Sequence, residues 1–185
     1  MTFSKKLVIL DRDGVINVDS DAFIKSPDEW VAIPGSLEAI ARLNQAGYRV
    51  VVASNQSGIG RGLFDMATLN AMHVKMQRAA ATMGGRIDAV FFCPHTAEDQ
   101  CECRKPKPGL LKMIIERFEI DPEVTPVVGD ALRDLQAGAV LGFPTHLVRT
   151  GKGEKTLAAG GLPEGTRVHD DLKAFALTFL ADKHE

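Results

Sequence analysis

Cysteine is scarce in this chain: there are three in 185 residues, an odd number that leaves one thiol over in any disulfide framework. No apolar run approaches the roughly 20 residues of a membrane span, so no membrane partner is expected. The basic pair Lys5-Lys6 is followed only by Leu7 to Leu10 before Asp11 intervenes. That is short of the about 7–15 apolar residues in a signal-peptide core. An excess of one charge is also missing. With 22 basic and 24 acidic residues the net charge is −2, which gives no global reason to bind nucleic acid. The run Arg104-Lys105-Pro106-Lys107 is too brief to make a basic face. There is no internal repeat, and the glycine-rich Ser57–Gly62 stretch lacks the Gly-Lys-Ser/Thr ending of a nucleotide-binding P-loop. These absences leave a cytoplasmic, monomeric globular protein with reduced thiols as the expectation. Residues 1–185 are expected to form one domain, long enough to bury about 70% of the unfolded surface.

What the sequence does contain is alternation. Short, mostly β-branched runs read as buried parallel strands: LVIL (7–10), VVVAS (50–54), AVFF (89–92), TPVVG (125–129) and THLV (145–148). Amphipathic segments lie between them. One runs over 36–46 and stops at Gly47, and another runs from an Asp65 cap to about Met83. A third covers 109–118 after Pro108, and a fourth follows Asp130 and ends near Gly142. Asp170 or Asp171 opens the last. This pattern predicts an α/β fold, a three-layer doubly wound parallel sheet with helices on both faces. Two irregular stretches, 17–35 and 93–107, interrupt it, and 150–165 reads as a surface connection.

In such sheets ligands bind beyond the carboxyl ends of the strands, so the residues after each strand matter most. The first strand ends in Asp11-Arg12-Asp13-Gly14, the second in Ser54-Asn55-Gln56-Ser57, and the fourth in Gly129-Asp130. Each alone is compatible with a polar turn. Three together at one sheet edge suit phosphoryl transfer. A carboxylate nucleophile is repelled by a phosphate dianion and needs Mg²⁺ and fixed donors to approach it. Asp11 and Asp130 offer the hard oxygens Mg²⁺ prefers. Ser54 can donate its hydroxyl, Lys105 a positive charge, and Asp13 can act as general acid and base. The cysteines all fall in CPHTAEDQCEC, residues 93–103, which as a spacing fits a metal site, a disulfide or a catalytic thiol. His73, His146 and His169 acquire no role from sequence, Arg61 reads equally as substrate contact or solvated charge, and Trp30 reads as an anchor for the first loop.

LDRDGVIN, SNQSG, RKPKPG and VGDALRD resemble, in order, the four motifs of the haloacid-dehalogenase-like (HAD) phosphatases. The resemblance spans most of the chain and implies Asp11 as nucleophile and Asp13 as general acid/base, with Ser54 and Lys105 stabilising the phosphoryl group. It implies Asp11, the Asp13 carbonyl and Asp130 as Mg²⁺ ligands, with Asp134 in support. Only 40 residues separate Asp13 from Ser54, which leaves room for a capless member alone. Beside these motifs Cys93, His95, Cys101 and Cys103 resemble a family zinc loop, and three thiolates with one imidazole make a closed, structural Zn²⁺ set. The zinc loop narrows the resemblance to two subfamilies, one acting on D-glycero-D-manno-heptose 1,7-bisphosphate and one on histidinol phosphate. Asn55 to Ile59 followed by Arg61-Gly62 is closer to the heptose subfamily, whose place is in surface-heptose (lipopolysaccharide core) synthesis. A phosphorylated sugar is then the implied partner. The substrate contacts carried over are Asp11, Arg12, Asp13, Asp19, Ser20, Asp21, Ala22, Ser54, Asn55, Gln56, Ser57, Arg104 and Lys105; residues 20–23 depart from the subfamily pattern. A catalytically silent zinc-bearing module is the alternative of a different class, and the presence of Asp11, Asp13, Lys105 and Asp130 argues against it.

Overall fold

In the computed structural model, which describes residues 5–183, six strands form one parallel sheet. They are β1 (Leu7–Leu10), β2 (Arg49–Asn55), β3 (Ala89–Cys93), β4 (Val127–Gly129), β5 (Thr145–Val148) and β6 (Arg167–His169). The helices are α1 (Ser36–Gln45), α2 (Met66–Thr82), α3 (Gly109–Phe118), α4 (Leu132–Ala139), α5 (Gly153–Ala159) and α6 (Leu172–Asp182). Strand order is β3-β2-β1-β4-β5-β6. The chain therefore moves outward through β2 and β3, then returns to the far side of β1 with β4. The reversal falls between β1 and β4, and it opens a crevice at their carboxyl ends.

Strand residues alternate between two cores, as a pleat with helices on both faces requires. Val8, Leu10, Val50 and Val52 pack with Leu43 of α1, Met72 of α2 and Phe175 of α6. Leu7, Ile9, Val51 and Ala53 pack with Leu110 and Ile114 of α3 and Ala137 of α4. Each fully buried aliphatic side chain contributes about 1.5–3 kcal/mol. Asp65 caps α2 by accepting from the Thr68 amide at 2.8 Å, and Asp171 caps α6 by accepting from Ala174 at 2.7 Å.

The first long loop is anchored rather than loose. Val18 N donates to Val31 O (2.8 Å), Ile33 N donates to Ile16 O (2.9 Å), and Trp30 is 2% exposed in the core. Lys75 of α2 donates from Nζ to the Pro27 and Trp30 carbonyls, at 2.6 and 2.7 Å.

Three points differ from the expectation. Residues 150–165 are not merely a surface connection, because they carry α5 and a turn that reaches the site. The sequence pattern also misses strand β6. It has only three residues, one of them the exposed Arg167, too few to register as a periodic run. The fourth helix also stops at Ala139, three residues before Gly142.

β6 brings His169 against His146 of β5, with His146 Nδ1 and His169 Nε2 3.0 Å apart and Phe175 edge-on to both rings. Burial, then the neighbouring His169 and Arg167, pushes His146 down to about 3, and burial with Arg167 lowers His169; Asp182 opposes both weakly. A histidine held neutral in the fold but free to protonate once unfolded contributes stability above its ordinary value near 6.5 and loses it as pH falls. His146 alone is expected to cost about 2 kcal/mol between pH 7 and pH 5. Urea unfolding at the two pH values checks this. The stability lost on acidification should shrink in His146→Gln, and an equal loss in both proteins would contradict it.

Candidate active site

At the switch point Asp11 follows β1 and Asp130 follows β4. Both line a cavity of about 210 Å³ with Asp13, Asn55, Gln56 and Ser57 on its floor. Lys105 lies beneath, 4% exposed. Its Nζ donates to Asp11 Oδ1 (3.2 Å), Asp134 Oδ1 (2.7 Å) and the Ala53 carbonyl (2.7 Å). Burial opposes the lysine cation, but Asp11 and Asp134 outweigh it and raise its pKa. Its backbone is clamped from both sides by Asn55, whose Oδ1 accepts from Lys105 N (3.0 Å) and whose Nδ2 donates to Lys105 O (3.1 Å). Ser54 is 1% exposed beside this pair, its Oγ accepting from Gln56 Nε2 at 2.8 Å.

The Asp13 carboxylate is held by four donors. Arg12 Nε and Nη2 (3.0 and 2.9 Å) and Asn17 Nδ2 (2.9 Å) reach Oδ1, and Gln56 Nε2 reaches Oδ2 at 3.1 Å. Arg12 is fully buried, with its Nη1 3.2 Å from His73 Nε2. Burial and the Arg12 cation hold His73 down at about 4, so it faces Arg12 as a neutral acceptor. The Arg12 side chain is therefore consumed in orienting Asp13, and only its backbone is available to a substrate.

Asp130 sits in a cradle of backbone. Its Oδ2 accepts from Lys152 N at 2.8 Å, and Gly14 and Gly151 press against it so closely that a Cβ on either would collide with the carboxylate. Both glycines also have positive φ, +83° and +58°. Thr150 Oγ1 donates to Gly14 O at 2.6 Å and ties the two turns together.

Carboxylate oxygens of Asp11, Asp130 and Asp134 lie within 4.8 Å of one another. Burial raises the pKa of Asp11, with Asp134 adding to it, and burial raises that of Asp130, with Asp11 and Asp134 adding. Hard oxygen donors crowded in this way suit a divalent cation such as Mg²⁺, which would cancel their repulsion. Asp134 has both oxygens engaged, one by Lys105 and the other by the Ala131 amide at 3.1 Å, so it serves the lysine and the start of α4.

The second metal-like cluster ties down residues 93–103. Cys93 Sγ is 3.5 Å from His95 Nδ1 and 3.6 Å from Cys101 Sγ, while Cys103 Sγ is 3.3 Å from His95 Nδ1 and 3.7 Å from Cys101 Sγ. A tetrahedron with Zn–S bonds of about 2.3 Å has edges of about 3.7 Å, so these separations fit Zn²⁺. They are far too long for a disulfide. Burial pushes the Cys93 thiol up to about 12, so its proton yields only against a cation.

Of the expected substrate contacts, Asp19, Ser20, Asp21 and Arg104 line the cavity beside the floor residues. Ala22 does not; its neighbours Phe23 and Ile24 do. Arg61, Arg133 and Lys152 complete the walls. The sequence reading did not single out Arg133 or Lys152. Lys152 follows β5, so the strand-end rule would have found it had 150–165 not been read as a connection.

The profile of the haloacid dehalogenase-like hydrolases matches residues 5–142. A D-glycero-beta-D-manno-heptose-1,7-bisphosphate 7-phosphatase of Bordetella bronchiseptica is 63% identical over 177 residues, 96% of this chain and 99% of that one. The crystal structure of D,D-heptose 1,7-bisphosphate phosphatase from B. bronchiseptica complexed with magnesium and phosphate superposes with a TM-score of 0.95, at 63% identity and the same coverage of both chains. A D,D-heptose 1,7-bisphosphate phosphatase from Burkholderia thailandensis is 74% identical, with a TM-score of 0.79 over 96% of this chain and 99% of that one.

Proposed function

The chain belongs to the haloacid dehalogenase-like hydrolases, and on that premise we propose that residues 1–185 act as one Mg²⁺-dependent phosphatase domain that removes the 7-phosphate of D-glycero-D-manno-heptose 1,7-bisphosphate in the cytoplasm. The observation that carries the mechanism is the buried Asp11–Lys105 pair at the cavity, with carboxylate oxygens of Asp130 and Asp134 within 4.8 Å of that of Asp11. The relatives and the Arg-rich walls support a bisphosphorylated sugar as the substrate.

Asp11 attacks phosphorus as the carboxylate, and the bond from phosphorus to the sugar oxygen breaks. Asp13, aimed by Arg12, Asn17 and Gln56, gives its proton to the leaving sugar oxygen. The resulting acyl phosphate on Asp11 is then attacked by water, which passes a proton to the Asp13 carboxylate. Inorganic phosphate leaves and Asp11 is regenerated. Lys105 and the Ser54 hydroxyl stabilise the phosphoryl oxygens throughout. Bound by Asp11, the Asp13 carbonyl and Asp130, Mg²⁺ supplies the positive charge that lets a carboxylate approach a phosphate dianion.

The test is kcat/KM for the heptose bisphosphate against histidinol phosphate on one preparation. We expect the bisphosphate to be preferred by roughly 100-fold or more, because a site lined for a second anion leaves those cations unpaired when it is missing. A preference for histidinol phosphate would overturn the substrate while leaving the mechanism.

Zn²⁺ on Cys93, His95, Cys101 and Cys103 is structural in this reading. Lys105 is held independently by Asn55 and by three acceptors on Nζ, whereas Arg104 has only the His95 carbonyl, at 3.4 Å, to fix its guanidinium. Stripping zinc and restoring Mg²⁺ should therefore raise KM roughly tenfold and leave kcat within about threefold. Steady-state kinetics on protein of measured zinc content checks this, and unchanged kinetics would refute it.

A further inference from the structure

The two oxygens of the Asp13 carboxylate are not equivalent. Oδ1 accepts from Arg12 Nε at 3.0 Å, from Arg12 Nη2 at 2.9 Å and from Asn17 Nδ2 at 2.9 Å. Three donors leave it no room for a proton, so the proton that Asp13 gives to a leaving group is carried on Oδ2. Oδ2 accepts from Gln56 Nε2 at 3.1 Å, and the other hydrogen of that amide goes to Ser54 Oγ at 2.8 Å.

This division of labour depends on how Arg12 is turned. A guanidinium that meets a carboxylate frequently spreads its fork over both oxygens. Here Nε and Nη2 converge on one oxygen, while the third nitrogen, Nη1, is 3.2 Å from His73 Nε2. Arginine only donates, so the imidazole accepts at Nε2 and carries its hydrogen on Nδ1. Arg12 is fully buried, which makes an unpartnered Nη1 costly. His73 is in turn fixed by its helix. Leu69, Met72 and Met76 seat α2 in the core, and Lys75 ties it to the first loop. The ring of Phe92 on β3 lies 6.5 Å from that of His73, centroid to centroid. His73 itself does not line the cavity, so α2 reaches the acid from behind.

We propose that His73 is a positioning residue for the general acid: by holding Arg12 Nη1 it keeps the guanidinium on Oδ1 of Asp13 and leaves Oδ2 to protonate the leaving oxygen. As the bond from phosphorus to the sugar oxygen breaks, the Oδ2–H bond breaks with it, the sugar oxygen gains the proton and the carboxylate regains its charge. Without His73 the fork slides onto both oxygens, and Oδ2 is occupied by a donor where it has to carry one. This rests on the phosphatase mechanism proposed above, but not on which sugar is the substrate.

The discriminating readout is the leaving group. A sugar alkoxide has to be protonated as it departs, whereas a nitrophenolate leaves without a proton. The experiment measures kcat and KM for the heptose bisphosphate and for para-nitrophenyl phosphate in wild type, His73→Leu and His73→Gln. His73→Leu should lower kcat/KM for the sugar ester roughly 10–100-fold, with KM within about twofold, and for the aryl ester less than about threefold. The ratio kcat/KM ends at formation of the aspartyl phosphate, so the later use of Asp13 as base does not blur the comparison. Both esters are measured on one preparation, so a partly folded variant scales both rates alike and leaves their ratio unchanged. His73→Gln, whose amide oxygen again offers Nη1 an acceptor, should return the sugar ester to within about threefold of wild type. Equal losses on the two esters, a loss in KM alone, no loss on the sugar ester, or a glutamine variant no better than leucine would overturn the positioning role. The kcat loss at constant KM and its rescue are read on the sugar ester alone, so a wild type slow on the aryl ester still decides the question. A wild type that hydrolyses neither ester would instead overturn the phosphatase mechanism.

Discussion

Asp11→Asn is expected to lower kcat by about 10,000-fold or more, because the amide is no nucleophile toward phosphorus. The same substitution is expected to leave the metal-free protein at least as stable as wild type. Asp11 is buried and stands beside Asp134, Asp13 and Asp130, and its pKa is raised, so the fold disfavours its charge. A neutral amide in its place removes that penalty at nearly constant volume, and Lys105 keeps Asp134 and the Ala53 carbonyl as partners. A phosphate-release assay in Mg²⁺ and a thermal melt in chelator measure both halves. Residual activity within about tenfold of wild type would remove Asp11 from the nucleophile's role. A large drop in melting temperature would mean that its charge is structural.

The opposite balance holds for its partner. Lys105→Met keeps the length of the side chain but deletes the one cation between two buried carboxylates. Breaking a buried pair from one side costs about 3–5 kcal/mol, since the remaining charges stay desolvated. The loss should be largest at alkaline pH and shrink on acidification, because Asp11, whose pKa burial and Asp134 raise, can then take up a proton. Activity should fall roughly 100–1,000-fold from the missing charge on the phosphoryl oxygens. Urea unfolding across pH, with kinetics at a temperature where the variant is folded, reads the two effects separately. Equal stability of Lys105→Met and wild type would show that the lysine does not compensate these carboxylates. Asp11 and Lys105 share one 3.2 Å ion pair, yet their replacement is expected to shift stability in opposite directions. The active site stores its unfavourable charge in the carboxylates, and the lysine offsets it.

Much of this arrangement is legible in the sequence alone. The β-branched runs and their Asp and Ser-Asn endings are local, and an α/β alternation has essentially one way to place strand ends along a single edge. Helix α3 coincides with the expected residues 109–118, and Asp65 caps α2 as expected, because caps and terminators act within one turn of chain. The strand β6 and helix α5 escape the sequence pattern for the converse reason. Both are short; β6 is held by pairing with β5, and α5 is tied through the Thr156 hydroxyl, which donates to the Asp130 carbonyl at 2.8 Å, rather than by patterns of their own. The loop contacts escape it too. Nothing in Arg12 announces that its side chain turns inward to His73, and nothing in Lys152 that its amide faces Asp130, since each partner is distant in sequence.

The sequence by itself determined the fold class, the three strand-end motifs, the carboxylate and cation types available, and the spacing of three thiols and one imidazole. These are properties of hydrophobic period, turn chemistry and ligand type, all readable over a few residues. Only the tertiary structure decided which carboxylates share one buried space and which Arg12 atoms are spent. It also decided that Asn55 clamps the Lys105 backbone. Those outcomes depend on burial and on distances between loops, where a shift of about one ångström separates a partnered charge from an unpartnered one.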